Sequence, residues 1–457
     1  MTVKVIPQQW VNVPLEEVIQ RIVGGGTPSK SKPEYYQGDI PWMSVKDMNK
    51  QVLIDTVDHI SPEAVENSST NIIPAGIPII ATRMSLGKIV TAHFDSAINQ
   101  DLKALFLPAE IHRDYLVYWY RSVARLIEQM GTGTTVKGIR LEALKGLEFS
   151  LPPLAEQKVI VDKLDTLLIQ VENTKARLER IPQILKRFRQ SVLAAAVSGR
   201  LTGLPDDIFK PTPVEQLAKK QKYSLGIGPF GSNLKVSDYR KSGHPLVFVR
   251  EIRAIQFGDS ATKFVSSEKF QELKAHRVLP GDILITKMGD PPGDVAIYPL
   301  SRPEAVITAD CIKLSVDESF ACRDYVAYAM QSEQFRLAVL SISAGVAQQK
   351  VNLTKFRKLE LQLPPLFEQA RIVSRVDQLF AHADRIELQV NQALARVNNL
   401  SQSILAKAFR GELTEQWRKD NPELISGENS AEALLERIKA ERAAKAPAKR
   451  TRKKATA

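Results

Sequence analysis

One segment of this 457-residue chain occurs twice, and that repetition constrains the fold more than any other feature. The motif Leu-Pro-Pro-Leu-x-Glu-Gln begins at Leu151 and again at Leu363, and a gapless alignment of residues 151–202 with residues 363–414 holds 18 identities in 52 positions. Roughly 3 identities would arise by chance, so the two segments form an internal repeat. The chain is therefore ordered as block, repeat, block, repeat and C-terminal extension.

Each repeat carries apolar residues at seven-residue spacing, in two stripes that lie three or four positions apart. Such stripes are typical of a coiled-coil seam, Pro-Pro before Glu is typical of a helix start, and Gly199 and Gly411 are typical helix ends. We therefore predict two long helices that pair as a scaffold, the first over residues 154–198 and roughly 65 Å long. Core helices of an ordinary bundle are the alternative. The predicted seam residues are Leu164, Leu167, Val171, Leu178, Leu185, Phe188, Val376, Leu379, Val390, Val397 and Leu400.

Composition limits the class of protein. Two cysteines, Cys311 and Cys322, in a chain of this length argue against a disulfide framework and indicate a reducing compartment. The six histidines show no metal-ligand spacing with them. The sequence contains no run of 18 apolar residues and no signal peptide, so we expect a cytoplasmic protein.

The net charge of +12 is concentrated near the C-terminus. Residues 437–457 contain nine Lys and Arg residues against one acid, Glu441. We interpret residues 415–457 as a basic C-terminal tail, partly disordered, which either binds polyanions without specificity or only aids solubility. The basic composition is therefore weak evidence for nucleic-acid binding by the rest of the chain.

The first block (residues 1–150) and the second block (residues 205–362) follow the same plan loosely. Four features of the first block recur in order in the second: a strand and turn, an apolar strand that ends in a cation, a helix that begins with Arg-Asp-Tyr, and a polar loop. The matched pairs are 40–47 with 244–251, 73–83 with 279–287, 113–115 with 323–325, and 132–139 with 344–351. The order is kept while the side chains differ.

Two glycine-rich segments approach known nucleotide motifs. Gly226–Gly231 fits G-x-G-x-x-G, and Asp290-Pro291-Pro292 lies further on, a combination similar to S-adenosylmethionine-dependent amino-methyltransferases. We set it aside because these glycines neither follow an apolar strand nor open a helix, and Gly293 stands where an aromatic ring is needed. Gly24–Ser31 lacks the second glycine of a phosphate loop. No nuclease site, nucleophile–base pair or metal-ligand cluster stands out.

The sequence resembles the specificity subunits of type I restriction–modification systems over nearly its whole length. The resemblance rests on the two blocks, each followed by a Leu-Pro-Pro-Leu-x-Glu-Gln repeat, and on Gly-Gly-Thr-Pro-Ser at Gly25, Ile-Pro-Trp at Ile40 and Gly-Thr-Gly-Thr-Thr at Gly131. It implies an α+β fold with two pseudo-repeated α/β target-recognition domains separated by two long antiparallel coiled-coil helices. The implied domains are residues 1–150 and 205–362, and the implied helical spacers are residues 151–204 and 363–414.

The resemblance also implies a function. The chain would be a non-catalytic subunit that reads a bipartite DNA site, one half with each domain, with the helices as ruler and scaffold. Its partners would be double-stranded DNA, two modification subunits that bind S-adenosylmethionine, and restriction subunits that use ATP and Mg²⁺. No cofactor would belong to this chain. An S-adenosylmethionine-dependent DNA adenine methyltransferase and a coiled-coil adaptor without DNA specificity stay open as alternatives.

Candidate DNA contacts are cations and polar residues in loops and at strand ends. The predicted residues are Lys30, Ser44, Lys46, Arg83, Thr134, Thr135 and Lys137 in the first block, and Lys235, Arg250, Arg253, Lys287, Gln348, Gln349 and Lys350 in the second. Gln348 and Gln349 would read adenine and Arg250 guanine. Two residues depart from the family pattern: Lys137 stands where glutamine is usual, and Pro182 lies inside the first long helix, where we predict a kink or a local opening.

Overall fold

The structure, a computed structural model, describes residues 6–133, 136–253, 257–258, 263–344 and 349–445. The chain divides into two compact units. Unit 1 consists of Met1–Leu178 and Ala393–Ala457, and unit 2 consists of Glu179–Gln392. Each unit combines one block with segments of both repeats, and each mixes helices with sheets, so the predicted α+β class is confirmed.

Among its described residues, the first block contains three sheets of short strands. Its strands are β1 (Val11–Pro14), β2 (Arg21–Gly24), β3 (Ile40–Met43), β4 (Val52–Leu53), β5 (Asp58–Ile60), β6 (Asn71–Ile73), β7 (Ile79–Ala81), β8 (Ile89–Ala92), β9 (Ser96–Ile98), β10 (Leu102–Phe106) and β11 (Glu148–Leu151). One sheet has the order β2-β10-β7-β8-β4, another has the order β5-β3-β9-β6, and β1 pairs antiparallel with β11. Strand β7 is buried at every position because it lies in the middle of the larger sheet.

The helices of the first block lie between and after its strands. They are α1 (Pro62–Glu66), α2 (Arg113–Ser122), α3 (Ala124–Met130), α4 (Leu141–Lys145) and the long α5 (Leu154–Val197). Helix α2 buries Tyr115, Trp119 and Tyr120, which recur at helical spacing. The ring of Tyr115 lies 5.3 Å from that of Phe409, so the core of unit 1 extends from the first block into the end of the second repeat.

The second block repeats this arrangement. Its strands are β12 (Lys210–Pro213), β13 (Leu225–Ile227), β14 (His244–Val247), β15 (Phe264–Val265), β16 (Arg277–Val278), β17 (Ile283–Thr286), β18 (Met288–Gly289), β19 (Val295–Ile297), β20 (Ala305–Ile307), β21 (Cys311–Leu314), β22 (Ser343–Ala344), β23 (Gln349–Val351) and β24 (Glu360–Leu363). Its helices are α6 (Val249–Ile252), α7 (Ser267–Glu272), α8 (Arg323–Gln331), α9 (Glu333–Ser341) and α10 (Leu353–Arg357), and the long α11 (Leu366–Ala408) comes after them.

Sheet topology confirms that the two blocks share one plan. The parallel pair β3–β9 recurs as β14–β20, and the antiparallel pair β1–β11 recurs as β12–β24. The second block also has sheets of order β13-β21-β17-β19, β15-β14-β20-β16 and β18-β23-β22. The predicted repetition is therefore a repetition of structure as well as of sequence order.

The glutamine of each Leu-Pro-Pro-Leu-x-Glu-Gln motif joins a long helix to its block. The Gln157 side chain accepts a hydrogen bond from the backbone N–H of His112 (2.8 Å) and donates to the Pro152 carbonyl (3.1 Å). The Gln369 side chain accepts from Cys322 (2.7 Å) and donates to Pro364 (2.8 Å). Both amides are buried, so the motif recurs because each block is attached to its helix by the same bonds.

The two long helices contact each other inside each unit. In unit 1 the start of α5 shares a core with the end of α11, and in unit 2 the end of α5 shares a core with the start of α11. These contacts require antiparallel helices, as predicted. In unit 2, Arg189 on α5 also donates to Asp384 (2.7 Å) and Glu387 (2.8 Å) on α11.

Ten of the eleven predicted seam residues are buried or half-buried, and one prediction was wrong. The buried or half-buried residues are Leu164, Leu167, Val171, Leu178, Leu185, Phe188, Val376, Leu379, Val390 and Val397. Leu400 is 45% exposed. A helix of 3.6 residues per turn drifts by about 20° per heptad, so a stripe that starts buried at Ile372 has rotated outward four heptads later. Helix α5 continues through Pro182 without an opening, and the kink stays a prediction.

The interpretation of residues 415–457 as a tail was wrong for residues 415–445. They form α12 (Glu415–Asp420) and α13 (Ala431–Lys445). Helix α13 buries Leu434, Leu435 and Ile438 in the core of unit 1, and Ala431 on the same face is also buried. These four residues have the i, i+3, i+4, i+7 spacing of an amphipathic helix, which the charge count had obscured. Residues 446–457 lie outside the described part of the chain.

A buried carboxylate joins both ends of the chain in unit 1. Glu156 accepts hydrogen bonds from the Trp10 indole (2.8 Å), from the Thr414 hydroxyl (2.6 Å) and from the Arg418 guanidinium. Pro7 packs directly against Gly411. The N-terminal segment and the C-terminal segment therefore complete the core of unit 1 together.

Candidate nucleic-acid interface

A tight turn follows the parallel strand pair in each block. The backbone N–H of Ser44 donates to Asp47 (2.8 Å), and that of Phe248 donates to Glu251 (2.7 Å). Both carboxylates are buried, because each satisfies the turn that contains it. The turns therefore place Lys46 and Arg250 at equivalent positions, immediately before a buried acid.

Both of these cations are exposed and held by neighbours. The Lys46 ammonium lies 2.8 Å from Asp58, and this hydrogen bond raises the pKa of Lys46. The Arg250 guanidinium donates to Glu251 (2.9 Å) and lies 4.7 Å from the ring centroid of Phe248. An exposed cation with restricted freedom loses less entropy when it binds a phosphate or a base edge.

Lys46 lies on the rim of a cleft in the first block. The cleft has a volume of about 650 Å³, and Lys30, Tyr36, Gln100 and Asp101 also line it. Ser44 lines it too but is buried, and its hydroxyl accepts from the backbone N–H of Lys46 (3.3 Å). Ser44 therefore shapes the turn, and its contact with DNA stays a prediction. The sequence prediction missed Tyr36 and Gln100.

Close backbone packing explains the glycines beside this cleft. A Cβ atom at Gly25 would lie 1.9 Å from the carbonyl oxygen of Ile98. The carbonyl of Gly26 accepts from the Trp42 indole (3.3 Å), and that of Pro28 accepts from the Tyr36 hydroxyl (2.7 Å). The segment that bears Lys30 is thus fixed against the end of the parallel pair.

A second group of predicted residues meets at the end of β7. Arg83 follows this strand, forms a backbone bridge with Gly138 and reaches Asp101 of the cleft (3.4 Å). The backbone N–H of Met84 donates to the carbonyl of Lys137 (2.9 Å). The polar loop therefore docks beside the cleft, and the exposed side chains of Arg83 and Lys137 lie on neighbouring backbone. Thr134 and Thr135 lie outside the described residues.

The second block brings Lys287, Gln349 and Lys350 together in the same way. Lys287 accepts a backbone bond from Val351 (2.9 Å), and β18 pairs with the strand that bears Gln349 and Lys350. The side chains of Gln349 and Lys350 are exposed, whereas Lys287 is half-buried. Gln348 lies outside the described residues.

Backbone bonds correct the predicted match between Lys287 and Arg83. The N–H of Lys287 donates to Asp310 (2.7 Å), as that of Thr82 donates to Asp101 (2.8 Å), so Lys287 corresponds to Thr82. The strand ends are thus offset by one residue from the match predicted from sequence, and a one-residue offset reverses which face of the sheet a side chain occupies.

Lys235 and Arg253 lie at other turns of the second block. The backbone N–H of Lys235 donates to Asp238 (2.7 Å) and caps a 3₁₀ turn over Val236–Asp238. Arg253 directly follows α6, the helix that bears Arg250. Both side chains are exposed.

Of the three glycines in Gly226–Gly231, Gly228 serves close packing, whereas Gly226 and Gly231 have open space around them. One reason for rejecting a cofactor motif was wrong, because Gly226 lies in β13; the next element along the chain, however, is a 3₁₀ turn rather than a helix. A Cβ atom at Gly228 would lie 2.0 Å from the carbonyl of Thr308, a contact like that at Gly25.

Within the described ranges, no three His, Cys, Asp or Glu side chains are grouped to hold a metal. None of the helices described is both long and apolar enough to cross a membrane.

Comparisons with known proteins agree with one another. A family model described as "Type I restriction modification DNA specificity domain" matches residues 7–183 and 250–396. The chain is 36% identical to the type I restriction enzyme EcoKI specificity subunit of Escherichia coli strain K12, over 98% of this chain and 99% of that protein. It is 41% identical to the EcoBI specificity subunit of Escherichia coli, over 74% of each.

Solved structures support the fold. The crystal structure of the HsdS subunit from Thermoanaerobacter tengcongensis matches with a TM-score of 0.57 and 18% identity, over 89% of this chain and 98% of that one. A chain from a structure of the type I R-M system matches with a TM-score of 0.66 and 18% identity, over 89% of this chain and 99% of that one. Both likenesses cover most of this chain and nearly all of the other.

Proposed function

This chain belongs to the type I restriction–modification DNA specificity family, and we propose that it reads a split DNA site, one half with each block. It is the DNA-recognition subunit of its complex, and catalysis resides in other subunits. The recognition domains that we propose are residues 1–150 and 205–362, and the helical spacers are residues 151–204 and 363–414.

The observation that carries the proposal is the equivalent placement of Lys46 and Arg250. Two blocks with different side chains hold a cation on the same turn, beside the same parallel strand pair. Cations that contact phosphates position a protein on DNA, whereas forked or planar side chains read base edges. We assign Lys46 to a phosphate, Arg250 to guanine and Gln349 to adenine.

The remaining predicted residues divide in the same way. We assign the phosphate role to exposed cations and leave the turn residue Ser44 and the half-buried Lys287 with supporting roles. The cations so assigned are Lys30, Arg83, Lys137, Lys235, Arg253 and Lys350. Each block would then present its contacts on one surface made by the turn and the polar loop.

The long helices would set the gap between the half-sites. Helices α5 and α11 are continuous and contain 44 and 43 residues. A helix of that length extends about 65 Å at 1.5 Å per residue. Half-sites one turn of DNA apart are separated by about 34 Å. A stiff helix pair therefore has the length needed to fix the spacing.

Partners and cofactors complete the proposal. The chain would scaffold two modification subunits that bind S-adenosylmethionine and restriction subunits that use ATP and Mg²⁺, and it would work in the cytoplasm. Those cofactors would bind the partners and none would bind this chain.

Selection from random duplex DNA tests this function. The chain, truncated after Lys445 so that α13 is retained, is purified with its modification subunit and used to enrich sequences. Two short defined motifs around a fixed gap would support the proposal. A single contiguous motif would contradict the ruler, and a folded complex that enriches nothing would favour an adaptor. S-adenosylmethionine binding by this chain alone would favour a methyltransferase.

A further inference from the structure

One loop leaves the sheet at the same point in both blocks. It follows β2 in the first block and β13 in the second, and each of these strands lies at one edge of its sheet. The loops begin with Gly25 and Gly228, where a Cβ atom would lie 1.9 Å and 2.0 Å from a carbonyl oxygen at the end of the parallel strand pair. Two residues further on, Phe230 therefore occupies the place of Thr27.

The side chains at this place differ in polarity between the blocks. Thr27 lines the cleft of the first block, whereas Phe230 is an aromatic residue that is 67% exposed. The neighbouring turn changes in the same direction, because Ser44 of the first block corresponds to Phe248, whose ring centroid lies 4.7 Å from the guanidinium of Arg250. The second block thus presents aromatic rings where the first presents hydroxyl groups.

The loop that bears Phe230 is anchored on both sides of the ring. Gly228 packs against the carbonyl of Thr308, and Leu234 is buried in a core cluster of the second block. Between these anchors, the carbonyl of Phe230 accepts a hydrogen bond from the backbone N–H of Asn233 (2.8 Å). An exposed ring on a fixed loop loses little conformational entropy when a partner covers it.

The charges beside the ring favour DNA as that partner. Lys235, Arg240 and Lys241 follow Phe230 on the same segment, and all three are exposed. The acid among them, Asp238, already accepts the backbone N–H of Lys235 (2.7 Å). Cations that contact phosphates position a protein on DNA, and an apolar side chain between them can then meet the base edges.

We propose that Phe230 contacts the C5 methyl group of a thymine in the half-site read by the second block. This inference rests on the proposed function and deepens it, because it adds an apolar contact to the base contacts assigned to Arg250 and Gln349. The thymine methyl is the apolar group that base pairs present in the major groove. It is therefore the feature of a base pair that a phenylalanine ring can distinguish there.

Replacement of thymine by deoxyuridine tests this contact, because it removes the methyl group and keeps the hydrogen bonds of the base pair. The full chain, in complex with its modification subunit, is titrated with duplexes of the enriched split site in which each thymine of both half-sites is replaced in turn. We expect one position, in the half-site whose guanine Arg250 reads, to weaken binding about three- to fivefold, as loss of one buried methyl group does. A site that tolerates deoxyuridine at every position, or that contains no thymine in that half, overturns the inference.

Two substitutions and a control assign the effect to Phe230. Phe230→Ala should weaken binding to the thymine site by a similar factor and should abolish the effect of deoxyuridine. Phe230→Leu should retain part of that effect, because leucine is also apolar. Phe320→Ala is the matched control and should retain all of it, because this phenylalanine of the same block is 46% exposed but lies just before α8, where Cys322 is bonded to Gln369.

Two results with the variants would contradict the proposal. If deoxyuridine weakens the binding of Phe230→Ala as much as that of the unaltered chain, another residue contacts the methyl group. If Phe230→Ala weakens binding while deoxyuridine has no effect on either protein, the ring stacks against bases instead of reading a methyl group.

Failure of the function and failure of the inference can be told apart. If the complex enriches no split motif, the proposed function fails and this inference fails with it. If the split motif is enriched and Phe230→Ala binds every duplex as the unaltered chain does, only the inference fails.

Discussion

Arg418→Met removes the guanidinium from the buried cluster that joins both ends of the chain. Arg418 donates to Glu156, to the Thr414 hydroxyl (2.9 Å) and to the Gly411 carbonyl (2.8 Å). Glu156 is fully buried, so the substitution leaves a charge without its counter-ion. Removing one partner of a buried ion pair costs about 3–5 kcal/mol. We expect the free energy of unfolding of unit 1 to fall by about that amount.

Intrinsic fluorescence during denaturation by urea measures this loss in unit 1 alone. The four tryptophans of the chain are Trp10, Trp42, Trp119 and Trp417, and all of them belong to unit 1. With tryptophan excited selectively, the midpoint of the fluorescence transition therefore reports this unit, because unit 2 contains no tryptophan.

Two further variants complete the experiment. Lys419→Met removes an exposed pair with Glu415 from the same short helix and should change stability little. Glu156→Gln combined with Arg418→Met should recover part of the loss, because no charge remains unpaired. If Arg418→Met destabilises unit 1 no more than Lys419→Met does, the buried ion pair is not what holds the two ends together.

Three other predictions concern the interface and the packing. Lys46→Ala should weaken binding to all DNA sequences and reduce the slope of log affinity against log salt concentration by about one, because one phosphate contact is lost. Arg250→Ala should reduce the free energy of discrimination at one base position by about 1–3 kcal/mol. Binding titrations over a range of salt, with matched and single-substituted sites, distinguish the two effects. Gly25→Ala should destabilise unit 1 in the fluorescence assay because its Cβ would meet a backbone carbonyl, and Gly146→Ala in the same unit, where a Cβ would come no closer than 3.5 Å to its neighbours, should not. Truncation after Lys445 should leave the urea midpoint of unit 1 unchanged. Removal of all of α13 should lower that midpoint, because the core of unit 1 that α13 covers becomes exposed. Equal midpoints for the two truncations would contradict the packing of α13.

Periodic features of the fold were predictable from sequence. The long helices follow from seven-residue spacing that continues over four heptads, and burial of Leu164 and Val376 agrees with it, whereas their antiparallel pairing was implied by the family resemblance. The pattern did not determine how far each stripe stays buried. The prediction that Leu400 lies in the seam was wrong, because in a straight helix a strict seven-residue stripe rotates gradually away from the buried face.

The candidate site was less predictable because it is assembled from distant segments. Lys30, Lys46 and Gln100 line one cleft because the parallel pair β3–β9 joins segments about fifty residues apart. No local periodicity specifies that pairing. The cations could be identified as loop residues, but Gln100 could be found only with the strand order in hand.

The paired strands at the base of each block have a consequence for how such chains diversify. Val11 lies opposite Leu151, and Lys210 lies opposite Leu363, so each block enters and leaves its helices through two adjacent strands. Along the chain, each block is therefore joined to the long helices only through one pair of antiparallel strands, so it can be exchanged as a unit. Genetic exchange of one block for another, cut at these strands, would alter one half of the DNA site while the long helices and the other half stay as they were.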